Sequence, residues 1–348
     1  MMVSAKDEAI SGHRQNCVPI GMHLRKYLLV SLPGALAIAE TMSCVRSAMR
    51  VLRVATAGTA HPFGDERTVR QAFPKAIAAE DADPFLMCDN FAFAPEKAKF
   101  GEDEFPIGWH PHRGMDILSY QKTGLGRHGD SLGHRETYET PGIQWMSCGS
   151  GVEHAEGGGG DGELMKGFQI WVNVPSSKKM DDPRYGTHPP SEIPTERGGG
   201  VARRLLAGAI GDDVGPFETA TPVQMVDWEL EAGASVAHEL PSTMDTALLY
   251  VYEGGARVNG AAAAAHDVVE LDASSDEDRG LDITAGPDGC AAMLFAGKKL
   301  REPIAWHGPI VMNTQSEIQQ AFKELRSGKF PPVRVPWDYK RASARPEK

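Results

Sequence analysis

Cysteine is scarce in this chain: five in 348 residues, at Cys17, Cys44, Cys88, Cys148 and Cys290. No pair stands at CxxC spacing, which argues against a zinc knuckle and against a disulfide framework. Reduced thiols follow, and with them an intracellular address, cytoplasmic or nuclear. Long hydrophobic runs are lacking too. Tyr27–Ala39 is a run of 13 residues, too short to span a bilayer. Positive charge is also in short supply, with 36 Lys and Arg against 47 Asp and Glu and a net charge of −11. That balance argues against direct binding of nucleic acid, which needs a basic face. No basic run of the nuclear-localisation type stands out.

Apolar residues are plentiful, by contrast. They make up 41% of the chain, enough for a packed core, and the length suits two domains of ordinary size. The first 53 residues depart from the rest, with seven basic residues against three acidic ones, which leaves −15 for the remainder. Within them "HLRKYLLVSLPGALAIAE" has the basic start, short apolar run and small residues of a targeting segment. Met22, Met42 and Met49 are alternative starts that would place part of this stretch upstream of the protein. Residues 1–50 are therefore read as an N-terminal extension, targeting or disordered, outside the fold.

From about Val51 onward, short apolar segments alternate with Gly, Pro and Asp. "FQIWVNV" sets Phe168, Ile170, Val172 and Val174 on one side of an extended chain, the period of a half-buried strand. "MDILSY", "VQMVDWEL", "ALLYVYEG", "DVVEL", "LDIT" and "AAMLFAG" repeat the design between turn signals, as in a sandwich or barrel. "LSYQKTG" at 118–124 and "LLYVYEG" at 248–254 share a strand-then-glycine layout at an offset of 130, which predicts two similar β units in tandem. The stretch 175–200, rich in Pro, Gly and charge, reads as their connector. One helix is expected near the C-terminus. Thr314 and Glu317 stand at capping-box spacing, Ile318, Ala321, Phe322 and Leu325 form an apolar stripe, and Gly328 can end it.

Chemistry concentrates in "GWHPHRGMD" and "GSGVEHAEG". Residues two apart in a strand point the same way, so His110 and His112 share a face, as do His154 and Glu156. Pro111 lacks an amide donor and suits an edge or strand start. The second pair follows His112 by 42 residues, room enough for the chain to cross a sheet and return opposite the first. Three imidazoles and a carboxylate suit a divalent first-row metal, and four ligands leave positions open for substrate. His128 and His134 lie in a glycine-rich turn and read as hydrogen-bonding neighbours of the site. His238, His266 and His307 lack a partner at ligand spacing and read as structural. Asp116 is placed on the metal-facing side as a further carboxylate, and Gln144 and Met146 as residues lining the cavity. Shifted by 130, the ligand positions fall on Leu240, Ser242, Thr284 and Gly286, so the second unit reads as a metal-free support.

"DPFLMCDNF", "HPHRGMDILSYQKTG", "HGDSLG", "PGIQWMSCGSGVEHAE", "WVNVP" and "WHGPIVMNTQSEIQQAF" occur in that order, and together they resemble the pirin family over roughly residues 51–335. The resemblance implies an all-β bicupin: two tandem β-barrels of the cupin or jelly-roll type, with a few short helices near the C-terminus. Its parts are a metal-binding cupin domain at 51–185, a linker at 186–200 and a metal-free cupin domain at 201–300. A segment at 301–348 then follows, whose helix 314–327 packs back on the first domain. One divalent metal is implied, usually iron as Fe(II), with Mn, Ni, Co, Cu or Zn as substitutes. Its ligands match His110, His112, His154 and Glu156.

Several pirin-like proteins resemble quercetinases. The implied activity is a flavonol 2,3-dioxygenase acting on a small aromatic substrate and dioxygen, with Glu156 as catalytic base. The rival implication is an iron-binding, redox-sensing co-regulator that binds a transcription factor or another protein partner. Three features depart from the family pattern: Asp116 where a glutamate is usual, the "AEGGGG" run, and the N-terminal extension.

Overall fold

The computed structural model describes residues 47–59, 69–93, 105, 107–158 and 164–336. The apolar run Tyr27–Ala39, the alternative starts Met22 and Met42, Cys17 and Cys44 lie outside the described residues, as do the glycines 159–160 and the chain beyond 336. Strands dominate, with two α-helices among the described residues, Ala79–Ala82 and Gln315–Arg326. Among the described residues no helix is long and apolar enough to cross a membrane.

Two sheets form the first barrel. The larger has seven strands in the order Arg184–His188, Gly142–Ser147, Met115–Thr123, Met165–Asn173, Phe85–Phe93, Val69–Phe73 and Gly58–Thr59. The smaller has four, in the order Ile107–His112, Val152–Gly158, Gly126–Asp130 and Arg135–Tyr138. The second barrel is a single ten-stranded sheet wound on itself. It closes because two strands are long enough to serve both walls. Asp278–Gly297 pairs with Val223–Leu230 along its second half and with Ser235–Glu239 along its first. Thr246–Val258 follows it through both halves. The bend between the halves falls at Gly254 and Gly289, which meet with φ of 68° and 79°. A Cβ on Gly254 would collide with the Gly289 carbonyl, so a side chain there is excluded.

Alternation decides which residues fill which layer. Phe168, Ile170 and Val172 share one face, and that face is buried between the barrels with Phe73, Phe85 and Tyr120 of the first and Tyr250, Tyr252 and Phe295 of the second. The Phe295 ring meets Phe73 edge-on at 5.0 Å and Phe85 at 5.3 Å. The two repeated segments seen in sequence, 118–124 and 248–254, both send side chains into this layer. A polar core lies beside it. Asp227, fully buried, accepts from Tyr120 Oη at 2.7 Å, Tyr252 Oη at 2.5 Å and Lys122 Nζ at 2.8 Å. The interior of the second barrel is apolar, built on residues such as Leu205, Trp228, Leu249 and Leu294.

Strand pairing crosses the expected segment boundaries at three places. Val51–Thr56, expected to open the first domain, hydrogen-bonds to Asp267–Leu271 in the sheet of the second barrel. Ser47–Ala48, expected to lie in the extension, pairs with Asp278 and Gly280 of the same sheet. The connector 175–200 is not free of structure: Arg184–His188 joins the first barrel and Thr195–Gly198 the second. An expected domain end at residue 185 therefore falls inside a strand.

Thr314 caps the C-terminal helix as its spacing predicts. Its side chain accepts from the Glu317 amide, and Glu317 Oε2 accepts from the Thr314 amide at 2.8 Å. Ile318 and Ala321 are buried, and Phe322 and Leu325 pack beside them, against Ile310, Met312 and Phe330. The buried Arg113 joins this segment to the first barrel. It bonds the Ser150 carbonyl at 2.8 Å, pairs with Glu324 at 2.8 Å and lies 4.3 Å over the Phe330 ring. Its own carbonyl accepts from the Val311 amide at 3.0 Å.

Candidate metal centre

Antiparallel pairing of Ile107–His112 with Val152–Gly158 sets His110 directly opposite His154. His112 is two residues along on the same face. The three imidazoles thus converge, with ring centroids 4.8 Å apart for His110–His112, 4.3 Å for His110–His154 and 5.0 Å for His112–His154. Each can offer one nitrogen such that all three lie within 4.8 Å of one another. The Gly108 carbonyl accepts from His110 Nδ1 at 2.8 Å, which leaves His110 Nε2 as a free lone pair. His112 and His154 are fully buried, and none of their ring nitrogens has a hydrogen-bond partner. Burial lowers the pKa of all three, helped in each by repulsion from neighbouring imidazoles. They are neutral donors at physiological pH. Buried nitrogens without partners are costly, and a cation at their focus relieves that cost. The residues fit a metal.

Glu156 is not part of that group. A bulge separates it from His154, and its Oε1 lies 3.9 Å from His154 Nε2. The facing sheet holds its carboxyl: Ser119 Oγ donates to Oε2 at 3.0 Å and Gln169 Nε2 to Oε1 at 2.8 Å. Burial pushes this carboxyl up to about 7, against the opposing pull of those two bonds.

His128 and His134 are hydrogen-bonding neighbours as expected, although His128 stands on strand Gly126–Asp130 rather than in a turn, and Asp130 is what joins them. It accepts from His128 Nε2 at 3.1 Å and His134 Nδ1 at 2.7 Å. Burial raises its carboxyl, yet the bonds and charges of the two histidines outweigh that and hold it well below the usual range. The His128 ring lies 5.6 Å from His154 and stacks on Tyr185. Farther away, His238 bonds Gln224, His266 contacts Tyr250, and His307 meets the Phe322 ring.

Asp116 is a correction. It faces away from the histidines, accepts from Ser147 Oγ at 2.6 Å and is held near Thr219 and Ala220. Counting by twos from His112 fails because Gly114, at φ 84°, breaks the extended chain between them. Gln144 and Met146 do lie on the inner face, Met146 in one cluster with Ile117 and Trp171. Residues the sequence reading passed over are Ser119 and Gln169, which hold Glu156, and Trp171, whose ring is 5.1 Å from His112. Their signal was present. Gln169 and Trp171 alternate with Phe168 and Ile170, so the face opposite the core was readable as a second, partly polar lining.

The sequence profile of the Pirin family matches residues 66–172, and that of the pirin C-terminal cupin domain matches 225–331. A candidate quercetin 2,3-dioxygenase of Pseudomonas aeruginosa is 35% identical over 281 residues, covering 78% of this chain and 95% of its own. A pirin-like protein of Solanum lycopersicum is 32% identical over 293 residues, covering 83% of this chain and 96% of its own. A crystal structure of quercetin 2,3-dioxygenase from Acinetobacter baumannii superposes with a TM-score of 0.73 at 29% identity. It covers 82% of this chain and 99% of that one.

Proposed function

This chain belongs to the pirin family, and from that premise we propose that it is a metal-dependent flavonol 2,3-dioxygenase of the quercetinase type. The proposed ligands are His110, His112, His154 and Glu156, and the proposed ion is Fe(II), with Mn, Ni, Co, Cu or Zn able to enter the same donor set. The observation that carries the reading is the convergence of three neutral imidazoles, two of them without any hydrogen-bond partner, beside a carboxyl poised near neutrality. The naming of relatives as quercetin dioxygenases supports the choice of substrate.

When bound, the ion supplies Lewis-acid polarisation of the substrate oxygens and a template for dioxygen. Glu156 Oε1 is the carboxyl oxygen nearest the histidines, and it takes the proton of the flavonol 3-hydroxyl. Ser119 and Gln169 fix the direction of that oxygen, so no reorganisation is needed when the proton moves. The surrounding wall of Met115, Ile117, Met146 and Trp171 excludes water from the activated ring. Dioxygen adds, the central heterocycle opens, and carbon monoxide leaves.

The test is to load the purified chain with Fe(II), supply quercetin in air and follow both flavonol absorbance and carbon monoxide. Loss of quercetin with matching gas release, above a metal-only control, is expected. No turnover with Fe, Mn, Ni, Co or Cu would overturn the reading.

A further inference from the structure

Register in the seven-stranded sheet arranges the inner-face side chains in rows. Trp171 stands opposite Ile117, and Ile117 opposite Met146, which makes one apolar row. Two residues along, roughly 7 Å away, Gln169 stands opposite Ser119, and Ser119 opposite Gln144, which makes a polar row. Two members of the polar row are occupied, since Gln169 and Ser119 bond each other and Glu156. Gln144 differs. It is 1% exposed, and neither Oε1 nor Nε2 of its amide has a hydrogen-bond partner. An unmet buried polar group costs about 1–3 kcal/mol, so this amide asks for an occupant offering both a donor and an acceptor. The next strand on the same row carries the residue that holds the carboxyl of the metal centre.

We propose that Gln144 is the specificity-determining residue of this site. It reads ring hydroxyls of the substrate remote from the 3-hydroxyl, donating from Nε2 and accepting at Oε1, while Ile117 and Met146 cover the apolar face of the ring. The substrate class is thereby narrowed to polyhydroxylated planar aromatics. A ring without those hydroxyls leaves the amide unmet and is disfavoured, which is how a buried polar group discriminates. The inference rests on the flavonol reading above, and its test separates the two.

Quercetin and 3-hydroxyflavone share the 3-hydroxy-4-keto edge that a metal would engage, but only quercetin carries further hydroxyls. Each is titrated anaerobically into the metal-loaded full chain by equilibrium dialysis, for the native protein and Gln144→Met, with metal content measured alongside. The native chain is expected to favour quercetin by about fivefold to 150-fold, the range that 1–3 kcal/mol sets. Gln144→Met should erase that preference by weakening quercetin alone. An unchanged preference in the variant overturns the role of Gln144 and leaves the flavonol reading standing. No binding of either compound by the native chain overturns the flavonol reading, and this inference with it. Should Gln144→Met lose its metal, Gln144→Asn keeps the amide but withdraws it by one methylene. It should weaken quercetin and spare 3-hydroxyflavone, and equal binding of quercetin by this variant and the native chain contradicts the role.

Discussion

Single residues in this barrel owe their behaviour to the dryness of its interior. Asp89, on the same inner row as Gln169, is pushed up to about 6 by burial, partly opposed by the hydrogen bond from Gln71. The folded carboxyl thus keeps its proton up to about 6, whereas the unfolded one releases it near 3.8. Between those values the folded state binds more protons, so this group's contribution to stability falls as pH rises. Asp89→Asn removes the titration and can still accept from Gln71. Denaturant unfolding should therefore show the native chain losing on the order of 3 kcal/mol relative to Asp89→Asn from pH 4 to pH 7. Parallel stability curves would count against the burial argument. At the same scale, the sequence was read well where alternation held. Phe168, Ile170 and Val172 share a face in sequence and in structure. It was read badly at Asp116, where one glycine at positive φ reset the parity.

Elements are set by local signals, but their partners are not. The capping box made the start of the helix Gln315–Arg326 legible and Gly328, at φ 73°, its end, because both signals act within a few residues of chain. Thr314→Ala should cost about 1 kcal/mol, seen as a lower Tm, and an unchanged Tm would show that packing alone sets the helix start. Strand Val51–Thr56 illustrates the converse. Its extended character is readable, yet its pairing with Asp267–Leu271 depends on residues more than two hundred positions away. Periodicity gives a face and not a neighbour. Strand Arg184–His188 was hidden for a similar reason: Pro and charge around it signal a loop, and its ladder to Gly142–Ser147 overrides them. Arg113 escaped notice because its role is to join elements. Its guanidinium meets Ser150, Glu324 and Phe330, which come together only in the fold.

At the largest scale the described residues form two barrels sharing one aromatic layer. The offset of 130 in the sequence foreshadowed this, and Tyr120 and Tyr252, one from each barrel, both bond Asp227. A layer common to both barrels predicts one cooperative thermal transition, where separate cores would melt in two. Asp227→Asn takes one shared carboxylate from the half-buried Lys122 and the buried Arg204, leaving them Glu229, and should cost roughly 2–3 kcal/mol without dividing that transition. Calorimetry checks both statements, and two resolved peaks in the native chain would contradict the shared core.

The spacing of two made the shared face of His110 and His112 legible, while the approach of His154 needed the strand pairing and the grip on Glu156 needed the facing sheet. The direct test of the metal centre is elemental analysis of the chain as purified, beside His154→Ala. About one first-row ion per chain is expected in the native protein and a drop of about tenfold or more in the variant, given what loss of even an outer-shell partner does to metal affinity. Equal metal content in both proteins would contradict it.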